Sequence, residues 1–116
     1  MARMGYDRGM GSTVRAARDL GESRLLDRMQ RMAGIGGWEL DLLTFALKWT
    51  SQTYRIHEVT PASYTPTFES ATEFYVAECV PEVRRTLRQA LVAGTPFDLE
   101  LEMITGRGRR LWVRVQ

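Results

Sequence analysis

The sequence predicts an α+β domain in which a small antiparallel sheet is flanked by helices. Two stretches alternate apolar and polar residues with the period of a half-buried strand, Trp38-Glu39-Leu40-Asp41-Leu42 and Phe97-Asp98-Leu99-Glu100-Leu101-Glu102-Met103. Each is followed across a short turn by a further strand-like run, Leu47-Lys48-Trp49 for the first and Leu111-Trp112-Val113-Arg114-Val115 for the second. Segments of helical periodicity lie before the first pair and between the two pairs, so the order is helix, two strands, short helices, a longer helix, two strands.

Residues 1–12 mix Gly, Met and Arg without regularly spaced apolar positions, which predicts a flexible leader or linker. An N-terminal helical segment is expected over 13–33. Val14, Ala17 and Leu20 share a helical spacing, Gly21 interrupts, and Ser23 can cap a second run in which Leu25, Leu26, Met29 and Met32 form an apolar stripe. Gly34 ends that amphipathic helix, and Gly36-Gly37 reads as a loose turn into the first strand.

The hairpin turn near Thr44-Phe45 leads to the second strand, which passes into a short helix around Ser51–Ile56. From His57 to Pro81 the pattern is irregular and suits short helices around Phe68, Phe74, Tyr75 and Val76. Pro81 and Glu82 then open a longer helix that Gly94 closes, with Leu87, Leu91 and Val92 on its apolar face. Gly106-Arg107-Gly108 makes the turn between the last two strands.

Length and charge bound the function. A chain of 116 residues is about one domain, and a chain of that size buries roughly two-thirds of its unfolded surface. Sixteen Lys plus Arg nearly balance fourteen Asp plus Glu, and only Trp112 interleaves with the basic cluster at Arg107, Arg109, Arg110 and Arg114, so a nucleic-acid partner is not expected. No run is apolar and long enough for a membrane segment, and the single Cys79 forms no internal disulfide, so a cytoplasmic setting is the expectation.

The element order and six phrases together resemble a PAS domain, of the subgroup that opens on Gly-x-Trp-x-x-Asp and closes on an Arg-Trp-Val-like strand, as found in bacterial sensor histidine kinases and diguanylate cyclases. The phrases are Gly36, Trp38 and Asp41; Trp49-Thr50-Ser51; Tyr54-Arg55-Ile56; Pro81-Glu82; Gly94-Thr95-Pro96-Phe97-Asp98 with Glu100; and Gly108 with Trp112-Val113. The resemblance runs from about Arg24 to Gln116 and places the core of the domain over 34–116. It departs at Val80-Pro81-Glu82-Val83, where the family commonly has His-Pro-Glu-Asp, and at Glu100-Leu101-Glu102, where it commonly has Glu-Tyr-Arg.

The resemblance implies a five-stranded antiparallel sheet whose last strand is missing after Gln116. That strand belongs at the centre of the sheet, between the first strand and the closing one, and its slot would leave two edges unpaired. Truncation at the C-terminus is the expectation, with a partner chain or the leader as a candidate to fill the slot.

Chemistry is sparse. One imidazole, His57, and one thiol, Cys79, supply neither a nucleophile with its base nor a zinc site, and Glu100 and Glu102 share an outward face, so intrinsic enzyme activity is not expected. The resemblance admits haem through a histidine on the long helix or flavin through a cysteine motif, and this chain has neither in place, so no cofactor is expected.

The resemblance further implies an apolar cavity between sheet and helices, which alternation lines with Tyr54, Ile56, Phe74, Leu87, Leu91, Leu99, Leu101 and Met103; the same residues would equally fill a dry core. The function it implies is sensing and signal transduction in a larger bacterial protein, by binding a small apolar molecule, by dimerising, or both, to control a covalently linked output domain. Leu25, Leu26, Met29 and Met32, with Trp112 as an aromatic platform, would carry the contact in a homodimer. The alternative is a ligand-free, constitutive dimerisation domain.

Overall fold

The computed structural model describes the backbone of residues 2–6 and the whole of residues 23–116. Its elements are β1 (Ala2–Tyr6), α1 (Arg24–Ala33), β2 (Ile35–Leu40), β3 (Leu47–Trp49), α2 (Ser51–His57), α3 (Phe68–Thr72), a 3-10 turn at Ala77–Cys79, α4 (Val80–Ala93), β4 (Leu99–Ile104) and β5 (Arg110–Val115). The chain is thus α+β. Residues 7–12 of the expected leader and the helical reading of Val14, Ala17 and Leu20 lie outside the described residues.

The strands form one antiparallel sheet in the order β3-β2-β1-β5-β4. Its centre departs from the expectation of a flexible leader over 1–12, because Ala2–Tyr6 is a strand, with Met4 opposite both Gly36 of β2 and Val115 of β5. The reason is tertiary. β2 and β5 each present an edge of backbone donors and acceptors to the same gap, and a strand between them satisfies both edges whatever its own side-chain pattern.

Ser23 caps α1 by accepting a hydrogen bond from Leu26 N at 3.0 Å, and Gly34 ends it in the left-handed conformation at φ 70°. Gly36 and Gly37 are not a loose turn; they lie inside β2, where α2 packs directly on the strand. A Cβ on Gly36 would sit 2.2 Å from Thr53 Oγ1 and 2.8 Å from the Thr53 backbone. Thr50 and Thr53 grip the same strand, since Gly37 N donates to Thr50 Oγ1 at 2.9 Å and Thr53 Oγ1 donates to Gly37 O at 2.8 Å.

The β2–β3 hairpin pairs Trp38 with Trp49 and is turned by Asp41, whose carboxylate accepts from Leu43 N at 2.8 Å and Thr44 N at 3.1 Å. Those two backbone bonds, Thr44's first and Leu43's second, hold the Asp41 carboxyl below the usual carboxylate range. They do the work of the absent Asn-Gly pair.

On the other side of the sheet, β4 and β5 pair in register, with Leu101 opposite Val113 and Glu102 opposite Trp112. The segment Phe74–Val76 runs along the free edge of β4, where Ile104 N donates to Phe74 O at 2.8 Å and Val76 N donates to Glu102 O at 3.1 Å. A core of Ile56, Tyr75, Val83, Leu101, Met103, Val113 and Val115 fills the space between the sheet and the helices. Among the described residues no helix is long and apolar enough to cross a membrane.

Candidate functional site

Between the sheet and the helices lies a cavity of about 50 Å³. Trp38, Leu47, Trp49 and Val115 line it from the sheet, Thr53 and His57 from α2, Ala71 and Thr72 from α3, with Tyr75 and Leu87 completing the wall. The sheet residues meet there because Trp38 and Trp49 are directly opposed across β2 and β3. Thr50, Thr53 and His57 follow at helical spacing, so one face of α2 both anchors β2 and turns into the cavity.

Aromatic rings pack around Trp49 and His57. The His57 ring stacks on Trp49 at 4.1 Å between centroids and meets Phe74 edge-on at 4.8 Å. Tyr54 and Tyr64 each contact Trp49 at 5.3 Å, and Tyr64 meets Phe74 at 5.4 Å.

His57 is fully buried, and its Nδ1 lies 2.8 Å from Thr53 O. A carbonyl oxygen only accepts, so Nδ1 carries the proton in that bond. Burial pushes the imidazole down to about 4 against the opposing pull of the Thr53 carbonyl, so the ring is neutral near pH 7. Its Nε2 is then a bare acceptor, and it is buried without a partner. The Nε1–H donor of Trp38 is likewise buried without a partner.

The expected pocket residues separate into three groups. Leu87 lines the cavity. Ile56, Leu101 and Met103 are buried in the core beside it, with Phe74 and Leu99 packed against that core. Tyr54 stands behind Trp49, and Leu91 lines a separate open groove of about 520 Å³ formed with Pro96 and Phe97. The sequence expectation passed over Trp38, Trp49, Thr53 and His57. The available signal was helical, since Thr53 and His57 are four apart on the inward face of a helix that runs one residue further than Ile56.

The expected contact helix divides as well. Leu25, Met29 and Met32 are exposed, at 64%, 45% and 81%, whereas Leu26 turns inward beside the fully buried Gln30. Both polar atoms of the Gln30 side chain are buried and unpaired. α1 packs on β2 and α2, with Asp27 held by Arg55 of α2 at 2.8 Å, and Trp112 stands exposed on β5.

Among the described residues no three His, Cys, Asp or Glu side chains gather as a metal site, and Cys79 is a partly buried free thiol packed against the core. No protein-family model matches the chain, and no curated protein matches it.

Proposed function

We propose that this chain is a sensory and signal-transduction module of the PAS type, part of a larger bacterial signalling protein such as a sensor histidine kinase or a diguanylate cyclase, whose cavity is coupled to the packing of α1. The observation that carries it is the double connection between cavity and helix. Trp38 of the lining is on β2, which α1 enters directly through Gly34, and α2 supplies both His57 to the lining and Arg55 to Asp27 of α1. A shift of either wall therefore pulls on α1. The sheet order supports the same reading, because β1 occupies the central position where the resemblance expects a fifth strand between the opening strand and the closing one.

α1 is suited to move. Its present packing buries the unpaired amide of Gln30 while leaving Leu25, Met29 and Met32 in water, so a second arrangement that covers the methionines has little to overcome. In a homodimer those three side chains form the contact, and the alignment of two α1 helices is the output to a linked domain.

The small size of the cavity favours the second reading, a constitutive dimerisation domain with an almost dry core. Native mass spectrometry of the purified protein separates the two by reporting subunit number and any retained small molecule together. Leu25→Lys with Met29→Lys is expected to convert a dimer to a monomer; an unchanged mass in solution removes α1 from the contact.

A further inference from the structure

We infer that the outward face of α1 binds an anionic lipid surface, lying on it and not through it. The inference goes beyond the dimer reading and does not depend on it. Arg24, Arg28 and Arg31 stand at i, i+4 and i+7, and Leu25, Met29 and Met32 repeat that spacing one residue on, so two parallel rows share one side of the helix. All six residues are exposed. The one acid of α1, Asp27, is turned to Arg55 of α2 at 2.8 Å, and among the described residues none of the three arginines has an ion-pair partner. The face therefore carries three positive charges beside an apolar strip, with no acid of α1 on it.

That pairing selects the occupant. At a lipid interface the headgroups are anionic and the hydrocarbon begins just below them, so the arginines can reach phosphate while the Leu and Met side chains bury. A second copy covers the apolar row but brings no acid on its own α1 face to neutralise the arginines of either. An acidic protein with a helix-binding groove would have to close around more of the circumference. The other side of α1 is occupied, since Gln30 is fully buried, Leu26 is half-buried, and the helix packs on β2 and α2. A flat surface needs only the exposed side. Ten residues are too short to span a bilayer, so the contact lies in its plane.

The test floats the full chain with unilamellar vesicles of phosphatidylcholine alone or with about one-third phosphatidylglycerol. Binding is expected to be at least about tenfold stronger on the anionic vesicles and to weaken as salt is raised. Arg24→Gln with Arg28→Gln and Arg31→Gln is expected to lower it at least about tenfold. Met29→Ser with Met32→Ser is expected to lower it on the same vesicles while the salt dependence remains. Should the triple variant lose its fold, Arg28→Glu alone serves, with binding lowered in the same direction. On bicelles of the anionic mixture that carry a paramagnetic headgroup, the ¹³C-methyl signals of Met29 and Met32 are expected to broaden while that of the buried Met103 stays sharp.

Equal binding to both vesicles, binding that the arginine variants leave intact, or tighter binding to poly-glutamate than to the anionic vesicles overturns the inference. The dimer reading fails separately. A chain that is monomeric at every concentration yet binds through α1 supports the lipid contact and removes the homodimer, whereas a dimer that ignores anionic vesicles keeps the homodimer and removes the lipid contact.

Discussion

His57 and Gln30 are the residues at which burial and polarity conflict most. Because the folded imidazole titrates near 4 and the unfolded one near 6.5, the unfolded chain takes up a proton between those values that the folded chain refuses. The contribution is therefore fully present above about pH 6.5, falls as pH drops through the window, and levels off below about pH 4. The loss amounts to about 3 kcal/mol at most. Urea unfolding across pH 4 to 7 measures it, and His57→Phe is expected to flatten that part of the profile. At Gln30 the mismatch is permanent at every pH. Gln30→Leu keeps the volume, removes the unpaired amide, and is expected to raise stability by about 1–3 kcal/mol in chemical denaturation.

Among the elements, the contact of α2 with β2 sets the geometry of the cavity. Gly36 has no room for a side chain, since a Cβ would meet the Thr53 backbone as well as its hydroxyl. Gly36→Ala is expected to push α2 off the strand at a cost of about 1–3 kcal/mol, seen as a lower urea midpoint with an unchanged slope. The same shift would move Thr53 and His57 together, because both belong to α2. The opposing hairpin, β4 with β5, is held at its turn from the other end of α2. Gly106 N donates to His57 O at 2.8 Å, and Thr105 Oγ1 donates to Glu58, whose carboxylate also pairs with Arg109 at 3.4 Å. One short helix thus ties the two halves of the sheet and contributes Thr53 and His57 to the cavity wall.

For the molecule as a whole, the central position of β1 makes the sheet continuous. With β1 in place, β2 and β5 each have a partner on the inner side; without it they would expose facing edges through the middle of the fold. Gly5→Pro removes a backbone donor from a strand paired on both sides, opposite Ile35 and Arg114. It is expected to cost about 3 kcal/mol or more. Amide hydrogen exchange is the direct measurement, with β2 and β5 losing protection while α4 keeps more of its own; unchanged protection in β2 and β5 would remove β1 from the sheet.

Much of the fold was legible because its signals are local. Alternation marked the β4 and β5 strands, Ser23 and Gly34 bracketed α1, and Pro81 and Gly94 bracketed α4, each through an interaction within a few residues. The cavity was legible only as a place between sheet and helices. Hydrophobicity named residues such as Leu101 and Met103, which alternation could only place on the inner face, where they are core; it passed over His57 and Trp38, whose polar atoms matter because of what surrounds them. The sequence by itself determined α1, α4, β4 and β5 and which of their faces are apolar, since propensity, capping and periodicity act over short spans. Only the tertiary structure decided that Ala2–Tyr6 is the central strand, that Gly36-Gly37 is a packing surface, and that His57 faces a cavity with its acceptor unpaired. Those outcomes depend on backbone edges and close approaches between distant segments, which leave no period in the chain.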